Sequence, residues 1–140
     1  MSSSYRGWPR KRAVTVRAGA EFYNLYNHDF IRVAVGIPSV RVADPAYNAD
    51  QMIALMREAI DRKAILVLFP ELGLSAYTCD DLFHQRALLD GCRDGLAKIL
   101  AASATWPIVA AVGMPLEVDH LLYNCAVMIS RGAVLGVVPK

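Results

Sequence analysis

Long apolar runs are missing from this chain. The most extended lie at 64–70, 107–116 and 132–139. All fall well short of the ~18 residues that a membrane-spanning helix needs, so no membrane partner is expected. The N-terminus shows no apolar core followed by a cleavage site, which argues against a secretory signal. Cysteine is scarce. Cys79, Cys92 and Cys125 are odd in number and form no CxxC pair, which excludes a disulfide framework and a zinc site. Reduced thiols fit a cytoplasmic protein. No GxxxxGK[ST] or GxGxxG motif occurs, so no phosphate loop is expected. His28, His84 and His120 lack HExxH spacing, so no metal site is expected either.

A large excess of one charge is also missing: 15 Lys+Arg stand against 13 Asp+Glu. The small surplus is unevenly placed. Residues 1–20 hold Arg6, Arg10, Lys11, Arg12 and Arg17 and no acid, which leaves residues 21–140 with 10 basic and 13 acidic groups, net −3. The Ser-rich stretch 1–20 is therefore expected to be a basic disordered extension, with the domain over 21–140. No nucleic-acid partner is expected of that acidic domain.

What is present reads as a folded α/β layer. Hydrophobic residues make up 55% of the 140, and mean hydropathy is +0.30, which excludes a disordered chain. Residues 30–38 are β-branched and apolar and read as a strand. Asp44-Pro45 then supplies a helix N-cap and a proline for the first turn. Ala49, Met52, Ile53, Met56, Ala59 and Ile60 follow at helical spacing. The wholly apolar run 64–69 suits a central strand covered on both faces. Residues 70–79 read as a loop, and Asp80 or Asp81 as the cap of a short turn. Leu88, Leu89, Cys92, Leu96, Ile99 and Leu100 stripe a helix of about 17 residues, which Gly91 and Gly95 weaken by about 1 kcal/mol each. Residues 107–113 read as the next buried strand. Residues 121–130 and 133–138 read as two strands joined by a tight turn at Arg131-Gly132. The order β-α-β-α-β followed by an antiparallel pair predicts an α/β fold. A strand that runs into Lys140 would leave a sheet edge and a face uncovered, so the chain reads as the front part of a larger domain.

Functional residues of such sheets gather beyond the carboxyl ends of the strands. Glu71 sits there, directly after the run 64–70, and Lys140 directly follows the strand 133–139. A solvated loop carboxylate and an exposed terminal lysine are the competing readings. Gly73 to Tyr77 (GLSAY) resembles a nucleophile elbow, but Tyr77 stands where the second glycine is required. Cys92 and Cys125 lie in apolar elements and read as core packing.

Three stretches carry a family resemblance: FYNLYNHDFIRVAVGIPSVRVADPAYNAD (22–50), LVLFPELGLSAYTCDDLFHQRALLD (66–90) and LLYNCAVMISRGAVLGVVPK (121–140). Over about residues 21–140 the chain resembles the N-terminal, nitrilase-like (carbon–nitrogen hydrolase) glutaminase domain of the glutamine-dependent NAD(+) synthetases. The resemblance implies a four-layer αββα sandwich, of which only the N-terminal part is present, in a protein that assembles into homo-oligomers. It implies a Glu-Lys-Cys triad that hydrolyses glutamine to glutamate and ammonia. Glu71 matches the general base, Lys140 the lysine, and Tyr77 a tyrosine close to the glutaminase site. The nucleophilic cysteine would follow beyond Lys140. Cys79 lies in the loop after the glutamate, where the family's nucleophile does not lie. ATP and Mg²⁺ would serve the missing synthetase domain, which amidates nicotinic acid adenine dinucleotide, and no cofactor is implied for this chain. The isolated 140-residue polypeptide is then expected to be inactive and poorly folded. A stand-alone nitrilase-superfamily amidase is the alternative enzyme. A non-catalytic remnant that binds a nitrilase-fold partner is the alternative outside enzymes.

Overall fold

The structure, a computed structural model, describes residues 22–140. The basic extension expected over 1–20 lies outside the described residues. The chain divides into two units, with the boundary after Phe30. In the first, residues 22–30 make one 3₁₀ turn, Leu25–His28. The Asn24 side chain accepts from the Tyr26 N–H, and His28 Nε2 lies 2.8 Å from the Phe22 carbonyl.

The second unit holds β1 (Val33–Val35), α1 (Pro45–Asp61), β2 (Leu66–Leu68), a 3₁₀ turn (Asp80–His84), α2 (Arg86–Ala102), β3 (Val109–Val118), β4 (Leu121–Ser130) and β5 (Ala133–Pro139). The strands form one sheet in the order β1-β2-β3-β4-β5. The first three are parallel, and β3, β4 and β5 pair antiparallel. The two crossovers each carry a helix, as parallel neighbours require. Asp44 caps α1 by accepting from the Tyr47 N–H at 3.1 Å, and Pro45 occupies the first turn, where a missing N–H costs nothing.

Both helices cover the same face. Met52 and Met56 of α1 and Ile99 of α2 are fully buried, against Val67 of β2, Val112 and Met114 of β3, and Val127 and Ile129 of β4. Each methionine buried this way contributes ~1.5–3 kcal/mol. Gly95 earns its place here: a Cβ on it would stand 3.2 Å from both the Pro45 carbonyl oxygen and a Leu74 methyl. Its helix penalty is the cost of bringing α2 close to the start of α1. Among the described residues, no helix covers the opposite face of the sheet. Val33, Val35 and Leu68 are more than half exposed there.

Three expectations are corrected. The strand foreseen over 30–38 narrows to Val33–Val35, flanked by one bond at each end, from the Ile65 N–H to the Arg32 carbonyl and from the Gly36 N–H to the Leu68 carbonyl. Its partner β2 is three residues long and runs into Pro70, which has no N–H to prolong a ladder. The strand foreseen to end at Gly113 instead continues to Val118, through Pro115. Backbone groups of alternate residues face the same side, and the Gly113 carbonyl points away from β4 to accept from the Leu74 N–H. Pro115 therefore lacks an N–H on the side where β4 does not bond. Asp119 and His120, both at positive φ, then close a two-residue turn into β4. Finally, Cys79 and not an aspartate stands at the cap of the 3₁₀ turn, with no side-chain cap bond; Asp80 and Asp81 lie inside its first turn. The Arg131-Gly132 turn is as foreseen, with φ of 49° and 75°.

Candidate active site

Glu71 is placed by the end of β2 and by the loop that follows. The Phe69 N–H still bonds the Ala111 carbonyl of β3. Past Pro70 the chain leaves the sheet plane. The Gly73 N–H bonds back to the Pro70 carbonyl and the Leu74 N–H bonds the Gly113 carbonyl. Leu72, Leu74, Ser75 and Ala76 are buried, so this loop is packed rather than solvated. Asn48, wholly buried in α1, holds it from the helix side. Its Nδ2 donates to the Leu74 carbonyl at 2.9 Å and the Arg41 carbonyl at 2.8 Å, while its Oδ1 accepts from the Arg41 N–H at 2.7 Å. Gly113 makes room beneath. A Cβ there would stand 2.5 Å from the Pro70 carbonyl oxygen, 2.7 Å from the Leu72 nitrogen and 3.0 Å from the Glu71 Cα.

Lys140 is placed by the β4–β5 hairpin. Counted from the Arg131-Gly132 turn, Ser130 faces Ala133 and Ile129 faces Val134, but Met128 faces Gly136. A bulge at Leu135 shifts the register by one. Cys125 consequently faces Pro139, and the Lys140 N–H bonds the Asn124 carbonyl at 2.9 Å. A regular hairpin would set Lys140 opposite Tyr123. A one-residue shift exchanges sheet faces, so the bulge puts Lys140 on the helix-free face, beside Asn124.

The three side chains meet there. Lys140 Nζ lies 2.8 Å from Glu71 Oε1, and Asn124 Nδ2 donates to the same oxygen. They sit at one end of a cleft of about 490 Å³, floored by Leu68, Ala111, Gly113, Ala126 and Val138. The ammonium of Lys140 first, and then the Asn124 amide, hold the Glu71 carboxyl below its ordinary value of 4.5. Reciprocally, the Glu71 carboxylate holds Lys140 above 10.5. Both groups are charged across the neutral range. The ionised carboxylate is able to take a proton, and the ammonium is able to offset charge developing on a substrate oxygen.

Tyr77 is not among the residues that line the cleft. It is 66% exposed on the loop. Ser75 is buried, and its hydroxyl donates to the Ala76 carbonyl at 2.9 Å, so the elbow-like GLSAY segment is a turn. All three thiols are free and buried. Cys79 donates to the Ser75 carbonyl at 3.0 Å. Burial, helped by Cys79, pushes the Cys92 thiol up to about 12, and burial raises Cys125 as well. Among the described residues, no group of three or more His, Cys, Asp and Glu gathers to hold a metal ion, and no helix is long and apolar enough to cross a membrane. Asn124, Gly113 and Asn48 were not singled out from the sequence. Asn124 left one trace, as a lone amide inside the apolar stretch 121–129.

Known proteins share this sequence and fold. The chain is 45% identical over 119 residues to the glutamine-dependent NAD(+) synthetase of Mycobacterium tuberculosis (strain ATCC 25618 / H37Rv), a match that covers 85% of this chain and 18% of the relative. The chain thus spans about a fifth of that protein. Among solved structures, a glutamine-dependent NAD(+) synthetase from Cytophaga hutchinsonii superposes with a TM-score of 0.73 at 24% identity, over 79% of this chain and 19% of the other. The NitN amidase from Neterenkonia sp. AN1 superposes with a TM-score of 0.66 at 24% identity, over 79% of this chain and 44% of the other. These establish the nitrilase-like fold, of which the described residues supply one helical layer and one sheet. The family model for carbon–nitrogen hydrolases matches residues 32–138, a span that runs from the first strand through the bulged hairpin bringing Lys140 to Glu71, and the chain belongs to the carbon–nitrogen hydrolase family.

Proposed function

We propose that this chain is the N-terminal part of the glutaminase domain of a glutamine-dependent NAD(+) synthetase. The observation that carries the reading is the Glu71–Lys140 pair, 2.8 Å apart at one end of a cleft, in a chain 45% identical to such a synthetase. An amide is a poor electrophile, and a thiolate attacks it better than water does. In the proposed reaction Glu71 takes the proton of a cysteine thiol supplied from beyond Lys140. The thiolate adds to the amide carbon of glutamine, and the ammonium of Lys140 offsets the charge on the carbonyl oxygen. Glu71 returns the proton to the departing nitrogen, the C–N bond breaks, and ammonia leaves. Water then cleaves the thioester and glutamate is released. Tyr77 is proposed to border the substrate. ATP and Mg²⁺ are assigned to a region outside residues 1–140, and no step above involves either. Homo-oligomeric assembly and a cytoplasmic location belong to the same proposal.

The test joins residues 1–140 to the coding sequence that continues past Lys140 and measures glutamate release from glutamine. Activity abolished by Glu71→Gln and by Lys140→Met is the expected result. Glutamine hydrolysis untouched by Glu71→Gln, or shown by residues 1–140 alone above that control, overturns it. The amidase superposition supports a second reading, a stand-alone amidase, which predicts turnover of short aliphatic amides and none of glutamine.

A further inference from the structure

We propose that Asn124 is a positioning residue for Glu71: it fixes one carboxylate oxygen against Lys140 and leaves the other, Oε2, as the atom that accepts the proton. This rests on the proposed role of Glu71 as the base. Both donors converge on Oε1, and Oε2 has no hydrogen bond among the described residues. An oxygen that already receives two donors is the weaker acceptor for a third proton, so the unpartnered one carries the basicity.

Lys140 alone does not fix the carboxylate. Its ammonium is a point charge on a flexible four-carbon stem, and its side chain is 71% exposed. It tolerates either oxygen and many carboxylate orientations. Asn124 is different in three ways. It lies inside the sheet on β4, opposite Pro115 on one side, and its carbonyl accepts from the Lys140 N–H on the other. Its stem is a single methylene, so its amide has little freedom. It is also neutral, so it orients the carboxylate without adding a second cation that would weaken the base further. A fixed amide on one oxygen selects which oxygen remains for chemistry; a mobile cation does not.

The test uses the polypeptide prepared for glutamine hydrolysis, with Asn124→Ala and the isosteric Asn124→Asp. One readout is the pH titration of the Glu71 carboxyl by carbon-13 NMR; the other is kcat and KM for glutamine against pH. The expected result is a Glu71 carboxyl that titrates at higher pH in both variants, and further up in Asn124→Asp, where a like charge is added. With it, kcat falls roughly 100-fold, as misplacement of a catalytic group by about 1 Å does, while KM is nearly unchanged and the acidic limb of the pH profile moves up. Circular dichroism and the thermal midpoint of Asn124→Asp, which conserves volume, separate this from loss of fold. An unshifted Glu71 titration, or a kcat unaltered in both variants, overturns the proposal. If Glu71→Gln leaves glutamine hydrolysis intact, the base reading itself fails. The NMR titration then still decides whether Asn124 holds the carboxylate.

Discussion

Gly113→Ala is the most searching single substitution at this site. The added Cβ would meet the Pro70 carbonyl oxygen at 2.5 Å, the Leu72 nitrogen at 2.7 Å and the Glu71 Cα at 3.0 Å. Non-bonded heavy atoms settle near 3.5–4.0 Å, so the segment 70–72 must retreat by about 1 Å. No flexible side chain can absorb this, because all three atoms are backbone. The segment is also held by the Leu74–Gly113 bond and by Asn48. Overpacking costs ~1–3 kcal/mol, and a backbone clash belongs at the upper end, about 3 kcal/mol. The second unit has 110 residues. At roughly 2.1 cal/mol/K of unfolding entropy per residue, that loss lowers Tm by about 13 °C. The same retreat stretches the 2.8 Å contact between Glu71 and Lys140 beyond hydrogen-bond reach. The Glu71 carboxyl should then titrate nearer 4.5. Gly136→Ala is the control, since a Cβ there meets nothing within 4 Å; it should be neutral or stabilise by ~0.5–1 kcal/mol. Thermal unfolding by circular dichroism and carbon-13 titration of Glu71 give the two readouts. If Gly113→Ala melts like Gly136→Ala and leaves Glu71 unshifted, the idea that β3 seats the glutamate loop is refuted.

Two further outcomes are expected. Inserting one alanine between Val137 and Val138 should turn Lys140 to the helix-side face and release Glu71, whereas deleting Leu135 should remove the bulge yet keep Lys140 opposite Asn124; Glu71 titration near 4.5 in the first variant only is the check. The ion pair should also shape stability against pH. Glu71 is depressed in the fold, so its contribution is present above its unfolded value and lost as pH falls through the lowered one; Lys140 is raised, so its contribution is present below 10.5 and lost as pH rises through the higher value. Lys140→Met should flatten both limbs of a Tm-against-pH curve, and an unaltered acid limb would show that the pair contributes nothing.

Local pattern sufficed for most of the elements. The Asp44-Pro45 cap, the stripes of α1 and α2, the apolar run of β2 and the Arg131-Gly132 turn each depend on residues within one or two turns of chain, and each stands where the spacing placed it. Family membership was legible too, in the stretches around Glu71 and Lys140, and the carboxylate's place at the end of a parallel strand followed from strand order. The strand limits at Val35 and Val118 were not legible. They depend on what the neighbouring strand offers: Pro70 ends one ladder, and the unbonded side of Pro115 permits another.

The site was less legible than the fold, for a physical reason. Side chains alternate across a sheet, so a lysine at the end of a strand points to one face or the other according to the exact register of a hairpin. Composition at 133–139 does not show the bulge at Leu135. Only the paired strands decide it, and it carries Lys140 to the side of Glu71. The space Gly113 leaves for a loop 40 residues earlier, the grip of Asn48 on that loop and the meeting of Asn124 with Glu71 across 53 residues are likewise products of the folded sheet. Sequence determined the chemical groups and the elements that bear them. Tertiary packing decided which face they share and which of their atoms meet.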